Sequence, residues 1–284
     1  MKNYTLMKQL REYTKLLNFL YGNEMLFVEE IAVIENMCRY PDIKVYVDRT
    51  DNIGAFMLTQ YNEDMTWSVF LHSPSDESFL NNAVKILPKV NKLHIQTGVK
   101  EKSIISGRLF FKHTYDYSMM SLLMEDFNDN FTDKYENADA QIVRLTPDSG
   151  FEEMEEWFGY GVYRLREEIR NGVYFAIKEG GQWAAIAGTQ IKSCNCSYIF
   201  VSTEAPYRGR GYAKALVSAV CNELFIQGRT PVYALDSSNI PSVRLAKSLG
   251  FKEYARRECL FAGPWELFRP FDDNPGLPDS NYFE

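Results

Sequence analysis

The chain has 284 residues, 45% hydrophobic and 24% charged, with a formal net charge of −7. That is the make-up of a globular protein with room for one large core or two ordinary ones. Acidic and basic residues mix throughout without a polybasic tract, which argues against a nucleic-acid partner. No apolar run approaches the roughly 18 residues of a membrane span.

In chain order, Leu6, Leu10, Tyr13, Leu17 and Leu20 recur at helical spacing with charges between them. They predict an amphipathic helix rather than a signal peptide. From Lys44 the pattern predicts strands at 44–48, 53–61 and 65–73, a helix at 77–90, a strand at 92–98, a helix at 100–110 and a strand at 117–125. The second half predicts a strand at 141–146, helices across 149–171, and strands at 173–179, 182–191 and 196–203. A helix after Gly211, a strand at 231–236, a helix at 239–250 and a strand at 254–262 complete it.

From the strand at 65–73 onward, the first half repeats the order of the second. SVFLHS precedes YIFVST by about 130 residues, and RLFFKHTYDYSMMSLL precedes SLGFKEYARRECLFA by about 140. The difference is mostly a glycine loop that the first copy lacks. The expected organisation is a degenerate domain at 1–125, an Asp- and Asn-rich linker at 126–140, a functional domain at 141–270 and a tail at 271–284.

The densest chemistry lies in VSTEAPYRGRGYAKALVSAV, Val201–Val220. Its strand ends at Thr203, and Pro206 keeps it from continuing as a regular ladder. Gly209 and Gly211 let the chain curl so that successive N–H groups converge. The helix opening near Gly211 adds free amides and the positive end of its dipole. Arg208 and Arg210 add fixed charge able to steer a multiply charged ligand. Ala213, Leu216, Val217, Val220 and Leu224 share one helical face, which would seat the loop on a buried element, and Cys221 reads as packing. The run lacks the ending of a nucleoside-triphosphate loop and the third glycine of a dinucleotide fingerprint. The residues themselves leave an anion site or an ordinary strand–turn–helix.

RGRGYA, Arg208–Ala213, fits the pattern R/Q-x-x-G-x-G/A. Asn239, with Ser242 three residues on, and LGF at Leu249–Phe251 follow at the distances used by the GCN5-related N-acetyltransferases. Over about 140–270 the chain resembles that family. With its loop-less first copy it resembles the tandem members, and PVYALDSSN is similar to the FR47-like and glycine N-acyltransferase branch. The resemblance implies an α/β (α+β) fold of two tandem acyl-coenzyme A N-acyltransferase-like domains, each a mixed, mostly antiparallel twisted sheet flanked by helices.

It also implies acetyl-coenzyme A as co-substrate, no metal, and a small-molecule amine as acceptor. Amides of Arg208, Gly209, Arg210, Gly211, Tyr212 and Ala213 would hold the pyrophosphate. Val201, Ser202 and Thr203 would bond the pantetheine arm where the strands at 196–203 and 231–236 splay apart, with the Val201 N–H at the acyl oxygen. Asn239 would cap its helix, with Pro241 in the first turn, and with Ser242 contact the cofactor arm.

Two family features are missing. The helical tyrosine that protonates sulfur in many members falls at Ala246, leaving Ser242 and Tyr254 as candidates. The strand glutamate that serves some members as base falls in SCNCSY, leaving Glu204 as the nearest acid. Glu152, Glu153, Glu155 and Glu156 read as a solvated face opposite Phe151, Met154 and Phe158. Trp157, Tyr160 and Tyr163 could line an acceptor pocket. A non-catalytic acyl-coenzyme A-binding module is the rival expectation.

Five cysteines (Cys38, Cys194, Cys196, Cys221, Cys259) with a single C-x-C form neither a disulfide framework nor a zinc pattern, and imply the cytoplasm. His72, His94 and His113 all lie in the first half, so a serine–histidine–aspartate triad has no support. A homodimer is compatible with the sequence and not required by it.

Overall fold

The structure is a computed structural model describing residues 4–7, 10–37, 42–62, 66–87, 93–106, 111, 113–128, 140–150, 154 and 162–262. The described residues form two compact units. Unit 1 takes those up to Met119, Asp236–Ser238 and those from Ala255; unit 2 takes Met120–Leu235 and Asn239–Tyr254.

The first repeat runs β1 (Thr5–Leu6), α1 (Leu10–Tyr21), α2 (Val28–Glu35), β2 (Lys44–Val47), β3 (Phe56–Tyr61), β4 (Trp67–His72), α3 (Glu77–Ile86), β5 (Leu93–Thr97), α4 (Val99–Ser106) and β6 (His113–Ser121). The second runs β7 (Ala140–Arg144), α5 (Val162–Asn171), β8 (Tyr174–Glu179), β9 (Gln182–Lys192), β10 (Cys196–Thr203), α6 (Tyr212–Ile226), β11 (Thr230–Asp236), α7 (Ile240–Leu249) and β12 (Lys252–Ala262). Each repeat makes three antiparallel pairings in succession and then a parallel one, β4 on β5 and β10 on β11. The duplication therefore begins at β1 and β7, ahead of where the sequence pattern exposes it.

The closing strands are exchanged. In unit 1, β5 pairs antiparallel with β12, from Glu258↔Thr97 to Ala262↔Leu93. In unit 2, β11 has the end of β6 beside it, and Leu122 N–H donates to Pro231 O at 3.2 Å.

Leu6 lies in β1, not in a helix. The buried stripe of α1 is Tyr13, Leu16 and Leu20, with Leu17 half-buried. That stripe and Phe27, Ile31 and Ile34 pack on Val45, Val47, Phe56, Leu58 and Phe70. The opposite sheet face, through Met57, Val69, Leu71 and Ile95, packs on Phe79, Leu80 and Ala83 of α3. Alternate strand residues thus serve opposite helical layers.

Unit 1 buries an uneven charge set. Arg257 on β12 pairs with Glu30, bonds Gln96 Oε1 at 3.2 Å and lies 3.8 Å from Glu29 Oε2. One guanidinium faces two carboxylates. Burial outweighs the pull of Arg257 and raises the Glu29 carboxyl to about 7, and Glu30 makes the closer ion pair.

In unit 2, α6 and α7 cover one face through Leu216, Val217, Val220, Leu224, Ala246 and Leu249. On the other face Leu165 and Ile169 of α5 meet Tyr174, Trp183 and Ile186. Cys194 is exposed and Cys196 buried. Arg229 holds their turn by donating to the carbonyls of Ser193, Cys194 and Cys196. Of the expected linker 126–140, Asp126–Asn128 pack on unit 2: Asn128 N–H donates to Leu249 O at 3.3 Å and Lys252 pairs with Asp126 at 2.6 Å. No helix among the described residues is long and apolar enough to cross a membrane.

Candidate active site

The site is built around β10. Its ladder with β9 starts at Ser197↔Lys192, shifts register, and runs on from Ile199↔Thr189 to Thr203↔Ala185, and Glu204 N–H continues it to Ala184 O at 3.0 Å. Its ladder with β11 covers only Cys196↔Thr230 to Tyr198↔Val232, although the strands continue to Thr203 and Asp236. Main-chain groups alternate between the two edges of a strand. With Glu204 N–H on β9, those of Ser202 and Phe200 share that edge. The N–H groups of Val201 and Thr203 point to the opposite edge, which β11 has left.

Unit 1 shows the same place closed. There β4 stays paired with β5 from Trp67↔Leu93 to Leu71↔Thr97. Leu71 corresponds to Val201 in the repeat, and its carbonyl accepts the Thr97 hydroxyl at 3.0 Å. Glu101, third residue of α4 as Ser242 is of α7, is 4% exposed and accepts Ser73 N–H at 3.0 Å. An internal carboxylate therefore caps the strand end, and only residues 73–76 separate β4 from α3.

In unit 2 the connection is 204–211. Ala205–Tyr207 form a single 3₁₀ turn containing Pro206, and the chain then passes Gly209 at φ 79° and Gly211 at φ 85°. A residue with a Cβ would cost about 1–2 kcal/mol at either angle. A Cβ on Gly209 would meet nothing within 4 Å, so backbone conformation, not crowding, selects glycine there. The loop enters α6 at Tyr212, whose first-turn amides lack acceptors within the helix. Ala215 N–H begins its ladder on Gly211 O at 3.2 Å. Tyr212, Ala215, Leu216, Val217, Val220, Cys221 and Leu224 are buried, so the helix is fixed. Ala213, placed on that face by its spacing, is half-buried. Each large side chain so buried contributes about 1.5–3 kcal/mol, enough to hold a strained turn.

The two loop arginines differ. Arg208 is exposed, and its Nε donates to Thr203 O at 3.2 Å, tying the loop to the strand end. Arg210, expected as steering charge, is ion-paired: it grips both oxygens of Glu179, at 2.6 and 2.7 Å, and donates to Pro206 O at 3.2 Å. Its guanidinium also lies over the Tyr207 ring at 5.2 Å. Tyr212 donates its hydroxyl to Glu179 at 2.8 Å, and burial, with that carboxylate, raises the phenol so that it stays a donor. Glu179, at the end of β8, escaped sequence reasoning because its placement depends on strand register.

Asn239 caps α7: its Oδ1 accepts Ser242 N–H at 3.3 Å, with Pro241 in the first turn. Ala246 is fully buried, so the family's tyrosine position is packed shut. A phenol instead comes from β11. Tyr233, one residue beyond the end of the β10–β11 ladder, shares a side-chain hydrogen bond with Ser242; burial raises its titration, and it stays protonated. Glu204 is half-buried at the end of β10 and by alternation shares the face of Phe200 and Ser202. Tyr254 is half-buried on β12. Phe151–Glu153, Glu155–Phe158 and Tyr160 lie outside the described residues, as does the Tyr163 side chain; Met154 is fully buried.

A half-open parallel strand pair, leading through a glycine loop into a buried helix, defines an acyl-coenzyme A N-acyltransferase fold. Residues 118–251 match the family model of the acetyltransferase (GNAT) family. GNAT enzymes use acetyl-coenzyme A as co-substrate and act on amine acceptors.

Solved structures resemble nearly the whole chain. A Drosophila protein does so with TM-score 0.66 and 14% identity, covering 91% of this chain and 98% of that one. A GCN5-related N-acetyltransferase-like protein from Streptococcus suis gives 0.60 and 17%, over 89% and 100%. A tandem GNAT protein from the clavulanic acid biosynthesis pathway gives 0.63 and 11%, over 92% and 99%. At these identities the likeness is one of fold, and the fold is the tandem one. No curated protein matches the sequence.

Proposed function

We propose that unit 2 is an acyl-coenzyme A-dependent N-acyltransferase that transfers acetyl to the primary amine of a small molecule by direct attack in a ternary complex. The observation that carries this reading is the opening between β10 and β11, with the Val201 N–H on the opened edge and two left-handed glycines just beyond. Coenzyme A fits these residues: the Arg208–Ala213 amides would take the pyrophosphate, Val201–Thr203 and Asn239 the pantetheine arm. When bound, the thioester supplies the activated acyl group.

The chain's own residues supply the rest. The Val201 N–H stabilises negative charge developing on the acyl oxygen. Ser242, held by Tyr233, offers a hydroxyl proton toward the departing sulfur. Glu204, on the Phe200 face, accepts the amine proton directly or through water. The similarity of PVYALDSSN at 231–239 to the FR47-like and glycine N-acyltransferase branch supports a small acceptor.

The buried Ala246 favours a second reading, a module that binds acyl-coenzyme A without turnover. The two separate when the chain is incubated with acetyl-coenzyme A and a panel of primary amines, with free thiol and product mass both followed. Amine-dependent thiol release with an acetylated product is the expected result. Binding without release establishes the module, and no binding removes both readings.

A further inference from the structure

We propose that Glu179 acts as an internal counter-ion of the anion loop, holding Arg210 away until a bound diphosphate competes for the same guanidinium. This rests on the reading of unit 2 as a coenzyme A site. Arg210 and Tyr212 occupy the two variable positions that flank Gly211, and both side chains end on one carboxylate. The Glu179 side chain is about one-quarter exposed and that of Arg210 nearly half, so water reaches the pair and an incoming anion can as well.

The neighbouring Arg208 differs. Its Nε bond to Thr203 O leaves both terminal nitrogens without a partner among the described residues. The free loop therefore presents one available guanidinium and one cancelled one, although its sequence carries two. Glu179 is then a positioning residue with two opposed effects. It anchors the turn through Pro206 O, Arg210 and Tyr212, and its charge lowers the potential that a polyanion would meet.

Glu179→Gln separates these effects, because the amide oxygen can still accept from Arg210 and Tyr212 while the charge is gone. Coenzyme A affinity is measured by calorimetry at low and moderate salt for wild type, Glu179→Gln, Arg210→Ala and the double variant, with melting temperature as the fold control. Glu179→Gln should bind about five- to tenfold tighter, with a steeper salt dependence, and melt within about 2 °C of wild type. Arg210→Ala alone should bind about five- to tenfold weaker, since it leaves the Glu179 carboxylate uncompensated, and the double variant should return to about the wild-type affinity.

Unchanged or weaker binding by Glu179→Gln overturns the proposal, as does a double variant that binds as tightly as Glu179→Gln. Wild-type protein that fails to bind coenzyme A overturns the site itself, an outcome distinct from a wild type that binds and a variant that shows no gain.

Discussion

Gly211→Asp should abolish coenzyme A binding, by at least about a hundredfold in calorimetry, while the protein stays folded. Gly211 sits at φ 85° between the loop and the first free amides of α6. A carboxylate there would face the phosphates that those amides are proposed to hold, and like charges a few ångströms apart in a partly dry site repel strongly. The backbone cost is smaller, about 1–2 kcal/mol, because Asp tolerates the left-handed region better than most residues. Gly209→Ala, which adds strain at φ 79° without charge and meets no neighbour, should weaken binding far less. Equal loss in both variants would mean that loop conformation, not charge, governs the site.

Gly250→Ala should produce the largest loss of stability, about 3 kcal/mol, read as a melting temperature lower by roughly 10 °C. Gly250 ends α7 at φ 101°, where its N–H donates to Lys247 O at 3.2 Å and Phe251 N–H to Ala246 O at 3.1 Å. A Cβ would lie 2.0 Å from Asp126 O, a backbone atom that cannot rotate away. A drop below about 3 °C would show that Asp126–Asn128 yields freely. The same glycine closes the helix whose other end carries Asn239 and Ser242, so its substitution should also disturb the site.

Local signals carried much of this structure. Asn239, Pro241 and Gly250 bracket α7 as their chemistry dictates, since a side-chain acceptor, a missing donor and a left-handed residue each act within one turn. The loop glycines were legible for the same reason. Period-2 apolar patterns placed the strands. What depends on partners distant in sequence was not legible. The exchange of β12 into unit 1 leaves no trace in local pattern, because a strand has the same alternation whichever neighbour it joins. Leu6 matched a helical stripe but pairs in β1, where two residues are too few to show a period. Arg210 resembled a free cation until strand register brought Glu179 to it. Tyr233 stood in an apolar strand, and only the packing of α7 brings its hydroxyl to Ser242.

The central physical claim is that amides of one short turn in unit 2 converge on an anion, while the matching place in unit 1 is closed by Thr97 and Glu101. Residue-resolved amide shifts during a coenzyme A titration test it most directly. Saturation at one equivalent is expected, with the largest shifts at Arg208–Ala213 and Val201 and none at Ser73–Glu77. Shifts centred on the β4–α3 connection, a second equivalent bound, or an unmoved Arg208–Ala213 segment would contradict it.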